Sequence, residues 1–333
     1  GTGKTLLALE KTGELCIGYH TSINFCYNRN LSTYLESKFK NSFPFIDTNL
    51  FEISSFHRFL IKILKENNVE FQIEDRNEFW EEELPSIFLD HIEHLKFERF
   101  DRIVIDETQD LFSQKYLDCL EKLFVGGWKS NNWSIFIDSK YQTIYSSFDK
   151  ELFNIFKETY DGFTFELYKN YRNTEKIIST ASAHTGFESI PCLREGKIDP
   201  SLKLFNSNKD LIVKLNKQIS ELLSEGVPKG WITILCSNKI IDLLVSYDQN
   251  KFRRISSATD LLNSGYITVS TPHSFKGLEN EIIIYIGKDE FNSEDKELIK
   301  EIYLSYTRAK NVLISFISSF SENSFNKFII TNL

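Results

Sequence analysis

Arg102-Ile103-Val104-Ile105-Asp106-Glu107-Thr108-Gln109-Asp110 decides the fold, because an apolar strand runs straight into two adjacent carboxylates. A near-continuous apolar run is expected of a parallel strand buried on both faces, and acids at its carboxyl end stand where α/β sheets place their chemistry. The matching signal is Gly1-Thr2-Gly3-Lys4-Thr5, followed by the apolar Leu6-Leu7-Ala8-Leu9. It reads as the second half of a phosphate-binding loop entering a helix. Backbone N–H groups wrap phosphates there, Gly is required where a Cβ would clash, and the helix N-terminus favours negative charge. In such a loop Lys4 reaches the β- and γ-phosphates and the Thr5 hydroxyl holds Mg²⁺. Asp106 then binds the ion through water, and Glu107 orients and deprotonates the attacking water. Taken singly, each motif has a structural alternative: a Gly-rich turn that only starts a helix, or a strand that ends in solvated acids. Together they favour a nucleotide site.

The complete loop motif needs a Gly five residues before Gly3, and the chain contains no Met. A strand and that Gly are therefore expected upstream of Gly1, and residues 1–333 alone are expected to bind ATP weakly.

With 333 residues, 41% of them hydrophobic, the chain can bury two cores, which excludes disorder and fibrous structure. Lys and Arg number 39 against 47 Asp and Glu, a net charge of -8. That balance argues against coating nucleic acid by bulk charge and leaves room for a local basic groove. Cys16, Cys26, Cys119, Cys192 and Cys236 are scattered, with no C-x-x-C pair, so neither a disulfide framework nor a zinc site is expected. The apolar runs are strand-length, and a soluble protein of the reducing cytoplasm, with no membrane partner, is the expectation.

Short β-branched runs alternate with amphipathic stretches, the pattern of an α/β protein with parallel sheets covered on both faces. Strands are expected at 102–105, 133–137, 231–235 and 281–286, and helices at 116–124, around 174–183 and at 210–223. Residues 64–98, rich in Glu, Asp and Asn, read as a small helical insertion. The turn-like Glu158-Thr159-Tyr160-Asp161-Gly162, expected to lead into a new strand, divides the chain into domains 1–162 and 163–333.

Further segments stand in a telling order: Ile137-Asp138-Ser139-Lys140-Tyr141-Gln142-Thr143-Ile144-Tyr145, Asn170-Tyr171-Arg172-Asn173, Thr271-Pro272-His273-Ser274-Phe275-Lys276-Gly277-Leu278-Glu279 and Tyr303-Leu304-Ser305-Tyr306-Thr307-Arg308-Ala309-Lys310. With the loop and the Asp-Glu-x-Gln-Asp box they resemble the motifs of UvrD/Rep-type superfamily 1 helicases. The resemblance implies two RecA-like P-loop NTPase domains, with ATP and Mg²⁺ as cofactors. It also implies that Gln142 contacts the γ-phosphate and attacking water, that Arg172 and Arg308 supply charge to the γ-phosphate, that Tyr171 stacks on adenine, and that Glu279 accepts from the ribose. Gly1, Thr2, Gly3, Lys4 and Thr5 complete the nucleotide set, with Thr5 and Asp106 at the metal.

For single-stranded or partly duplex DNA the candidates are Tyr27, Asn28 and Arg29, then Phe56 and His57, and Tyr145, Thr271 and His273. Small polar groups and an Arg suit phosphates, and interleaved aromatics suit unpaired bases. Core packing is the rival for Tyr27 and Phe56 in a chain with 29 Phe. His91 and His94 read as a solvated helix face rather than a metal pair.

Two departures from the family pattern matter. Ile137 replaces a Gly, and about 100 residues separate the loop from Asp106 and Arg172 from Thr271, where the large helicases carry inserted subdomains. A compact DNA-dependent ATPase, translocating 3′ to 5′, is the main expectation. The alternative is an ATP-gated regulatory or assembly module of a multidomain DNA-processing or defence protein, with a fused upstream domain or partner protein. A phosphate-loop kinase fits the downstream Arg motifs poorly.

Overall fold

The computed structural model describes residues 1–26, 28–138, 149–160, 162–255, 260–261, 265–288 and 290–332. They form two compact units, residues 4–166 and residues 167–333, the latter joined by Gly1–Gly3.

In the first unit a parallel sheet is built from β1 (Ser22–Cys26), β2 (Phe51–Ser55), β3 (Arg102–Ile105) and β4 (Trp133–Ile135), in the order β2-β1-β3-β4. Register sets Ile23 opposite Ile103 and Phe25 opposite Ile105, so the apolar runs of adjacent strands coincide. Every residue of β1 is buried, as expected of a strand covered on both faces. The covering helices are α1 (Lys4–Ile17), α2 (Arg29–Ser42), α3 (Phe56–Glu66), α4 (Leu84–His91), α5 (Gln114–Leu123) and α6 (Lys150–Tyr160).

Phenylalanine builds this core. The Phe25 ring meets Phe56 and Phe59 edge-on at centroid distances of 5.9 and 5.3 Å, and Phe56 meets Tyr116 at 5.0 Å. Such edge-to-face pairs add roughly 0.5–1.5 kcal/mol each beyond their area burial. The acid-rich stretch 64–98 holds a π-helical turn, Phe79–Glu83, that continues into α4 and sends Phe79, Leu84 and Phe88 into the same core.

The second unit carries a six-stranded sheet in the order β7-β12-β11-β8-β10-β9, and β5 (Asn170–Thr174) pairs separately with β6 (Cys192–Arg194). The six are β7 (Ser201–Phe205), β8 (Ile232–Leu235), β9 (Phe252–Arg254), β10 (Ile267–Ser270), β11 (Asn280–Ile286) and β12 (Ala309–Ser318). All strand pairings in both units are parallel among the described residues. The helices are α7 (Glu175–Thr185), α8 (Asn208–Ser224), α9 (Asn238–Tyr247), α10 (Lys296–Tyr306) and α11 (Glu322–Asn332). Leu211, Leu215 and Ile219 of α8 and Ile240, Ile241 and Leu244 of α9 pack on the isoleucines of β8 and β11. α7 stops at Gly186, whose φ of 73° is the left-handed cap that Gly adopts freely.

The fold class is thus the expected one, α/β with parallel sheets flanked by helices. The strand expected after Gly162 starts only at Asn170: residues 162–169 run without helix or strand, and Phe163, Phe165 and Tyr168 are exposed. All five cysteines are free. No helix among the described residues is long and apolar enough to cross a membrane.

Candidate functional site

The carboxyl ends of β3 and β4 and the first turn of α1 bring the chemical groups of the first unit together. Parallel pairing puts Ile105 beside Ile135, so the residues following both strands emerge at one edge. Asp106 is fully buried; its Oδ1 accepts from the Glu107 N–H at 3.0 Å, and its Oδ2 is buried without a hydrogen-bond partner. Burial and then the Glu107 charge push the Asp106 carboxyl up, while Thr5, Lys4 and the Glu107 N–H draw it down. A buried carboxylate oxygen lacking a donor, beside a Thr hydroxyl, is a costly arrangement that a hydrated divalent cation would relieve. Thr5 and Asp106 therefore fit Mg²⁺. Among the described residues no group of three or more His, Cys, Asp or Glu could hold a metal ion.

Glu107 is largely buried and adopts φ 51° and ψ 42°, a left-handed conformation costly for a residue with a Cβ. Gln109 Nε2 donates to Glu107 Oε2 at 2.5 Å, and Gln109 Oε1 accepts from the Asp138 N–H at 2.9 Å. Lys4 Nζ pairs with Asp138 Oδ2 at 3.2 Å. Lys4, Asp138, Gln109 and Glu107 thereby form one connected chain of polar contacts. Sequence reading placed Gln109 and Asp138 inside motifs without giving either a role. The signal was the Gln two residues beyond Glu107.

The loop glycines group with the second unit, where the Gly1 carbonyl accepts from the Tyr171 N–H at 2.9 Å and a Cβ on Gly1 would collide with the Asn170 side chain. Gly3, at φ 89°, makes the left-handed turn immediately before α1.

In the second unit the two arginine segments are bound to each other. Asn170 Oδ1 accepts from the N–H groups of Arg172 and Asn173 at 2.9 and 3.0 Å, and Asn173 Nδ2 donates to Thr307 O at 2.9 Å and Ala309 O at 2.6 Å. Arg172 Nε donates to Glu279, whose other oxygen lies 3.2 Å from Lys310 Nζ. Burial alone would raise the Glu279 carboxyl; Arg172 and Lys310 outweigh it and hold the group at about 2. Arg308 is buried, with Nε donating to Leu304 O at 3.2 Å and Nη1 to Leu278 O at 3.5 Å. Tyr171 is exposed.

The nucleic-acid candidates scatter in character. Asn28 caps α2, its side chain accepting from Asn30 N at 2.8 Å, and Arg29 is exposed. Phe56 has no exposed surface and packs against Phe25 and Tyr116, so the structure gives it a core position with no face open to a base. His57 contacts the Tyr116 hydroxyl at 2.9 Å, that hydroxyl donates to Trp80 O at 3.1 Å, and burial lowers the imidazole to about 4. These contacts tie α3 to α5 and the 79–83 turn. Thr271 Oγ1 donates to Ser274 Oγ at 3.0 Å in the turn that carries the exposed His273. The same segment closes at Gly277, φ 83°. Tyr27, Gln142 and Tyr145 lie outside the described residues.

No protein-family model matches the chain, and comparison with curated proteins gives no match. Among solved structures, the C-terminal domain of a "possible DNA helicase" from Lactobacillus plantarum WCFS1 is similar at 18% identity over 46% of this chain and 89% of its own, with a TM-score of 0.36. The arterivirus nonstructural protein 10 helicase, solved with DNA, is similar at 8% identity and a TM-score of 0.44. That match covers 99% of this chain, which spans 61% of the arterivirus chain.

Proposed function

We propose that the protein is an ATP-driven nucleic-acid motor of the UvrD/Rep type, hydrolysing ATP with Mg²⁺ and moving along single-stranded DNA in the 3′ to 5′ direction. One observation carries the reading: Lys4, Thr5, Asp106, Glu107, Gln109 and Asp138 converge at the carboxyl ends of adjacent parallel strands, the place where a phosphate loop and an acid pair can act on one nucleotide. Lys4 would bind the β- and γ-phosphates, Thr5 and Asp106 would hold the hydrated cation, and Glu107 would take a proton from the water attacking the γ-phosphorus. The cation supplies charge neutralisation as the bond to the β-phosphate oxygen breaks. Gly1, Thr2 and Gly3 would supply loop N–H groups, Arg172 and Arg308 positive charge for the transferring phosphoryl group, Gln142 a contact to it, and Tyr171 and Glu279 the base and ribose contacts. Asn28, Arg29, His57, Thr271 and His273, with Tyr27 and Tyr145, remain the candidates for DNA; Phe56 supports them from the core.

Residues 1–162 and 163–333 would each form a RecA-like domain of this motor. Steady-state ATP hydrolysis by the full-length protein, with and without single-stranded DNA, tests the reading. Stimulation by DNA is expected, and hydrolysis that no nucleic acid stimulates would overturn the motor. The net charge of -8 favours a second reading, an ATP-gated switch acting on a protein partner. A motor binds single strands with a steep loss of affinity as salt rises, whereas a switch need not bind them.

A further inference from the structure

We propose that Gln109 is the positioning residue for Glu107: its amide fixes the Glu107 carboxylate and couples it to the segment that holds Lys4. The inference rests on the ATPase reading above and deepens it.

The amide is used at both ends, and only one orientation works. A carboxylate can only accept and a backbone N–H can only donate, so Nε2 must face Glu107 and Oε1 must face Asp138. A flipped amide would set oxygen against carboxylate and N–H against N–H. The side chain is fully buried, and its backbone is held on both sides. The Asp110 N–H donates to Glu107 O at 3.0 Å, the Thr108 N–H donates to Phe136 O at 3.0 Å, and Thr108 Oγ1 donates to Ile105 O at 3.0 Å. Rotating the amide away would strand a buried donor and a buried acceptor together, each costing about 1–3 kcal/mol.

The donor gives the Glu107 carboxylate a fixed partner. It also removes the rotational freedom of a side chain already set by a left-handed backbone, so the carboxylate occupies one place. At the other end the Asp138 N–H is pinned, and the Asp138 carboxylate is the group paired with Lys4. The lysine of the loop and the base are thus registered through one buried amide. Leu or Met at this position would fill the same volume and do neither.

Gln109→Met and Gln109→Glu separate this role from packing. Met keeps the volume and deletes both hydrogen bonds. Glu keeps an acceptor for Asp138 but sets a second acid against Glu107. Thermal unfolding and titration with a fluorescent ATP analogue establish that each variant is folded and binds nucleotide; Gln109→Glu, the closer isostere, serves if Gln109→Met fails to fold. The expected result is a kcat reduced roughly 10- to 100-fold with a KM for ATP changed less than about threefold. A purely structural role would lower stability without separating kcat from KM. A wild-type kcat in a folded variant would overturn this inference alone. An inactive wild-type protein would overturn the ATPase reading itself, and with it this one.

Discussion

Lys4 Nζ lies 3.2 Å from Asp138 Oδ2, and both side chains are mostly withdrawn from water. Asp138 thus holds the cation that the proposed function assigns to phosphate, so a nucleotide must compete with it for Lys4. The same residue's N–H is bound to Gln109, so the loop lysine, the 137–138 segment and the acid pair are linked.

Asp138→Asn is expected to tighten ATP binding about 3- to 10-fold, roughly 0.6–1.4 kcal/mol, because it removes the competing charge and leaves the backbone N–H bond intact. Titration of the two proteins with a fluorescent ATP analogue measures it. Weaker binding in the variant would mean that Asp138 assists the nucleotide instead of competing with it.

Glu279 predicts acid sensitivity of the second unit. Its folded value, held near 2 by Arg172 and Lys310 against the cost of burial, lies below its ordinary 4.5. The unfolded chain therefore binds the proton first as pH falls; the stabilisation is present above about 4.5 and is lost between about 4.5 and 2. Its full size is about 3 kcal/mol. Denaturant unfolding followed across that range should show the loss in the wild type and a flatter profile in Glu279→Gln.

Two half-buried imidazoles make the same argument at milder pH, one in each unit. Burial lowers His57 and His184 to about 4 from 6.5. The unfolded state protonates first below 6.5, so stability is complete above that pH and declines between about 6.5 and 4, by up to about 3 kcal/mol for each residue. His57→Gln and His184→Gln should each remove part of this slope. A wild-type stability that stays constant from pH 7 to 4.5 would contradict both assignments.

Phe56→Ala is expected to cost about 3–5 kcal/mol of stability, the ordinary price of emptying a packed aromatic site. Where the variant remains folded, its single-strand affinity at equal salt should match the wild type. A selective loss of DNA binding without destabilisation would show that Phe56 meets a base after all.

The fold was legible because its signals are local. The isoleucine run of β11, the apolar β3 and the periodicity of α5, α7 and α8 specify buried parallel strands and covering helices without knowledge of partners. The strand expected directly after Gly162 begins only at Asn170, where β6 stands beside it, because a strand exists only where a ladder partner is present. At the site, residue types and spacing singled out Lys4, Thr5, Asp106 and Glu107, and the fold brings these side chains together. Types and spacing could not reveal that Gln109 bridges Glu107 to Asp138, that Asn173 binds the 307–309 backbone, or that Lys310 shares Glu279 with Arg172. Those bonds join residues up to 136 positions apart, and only the folded chain brings them together. Phe56 shows the converse, since an aromatic in a motif looks the same in sequence whether it faces a base or a core.

The central claim is that Glu107, held at the carboxyl end of β3, takes the proton from water in ATP hydrolysis. Steady-state Mg²⁺-ATP hydrolysis by the wild-type protein and Glu107→Gln, with ATP affinity measured alongside, tests it most directly. The account predicts a fall in kcat of about 100-fold or more, with affinity kept within a few-fold. Equal hydrolysis by the two proteins would contradict it.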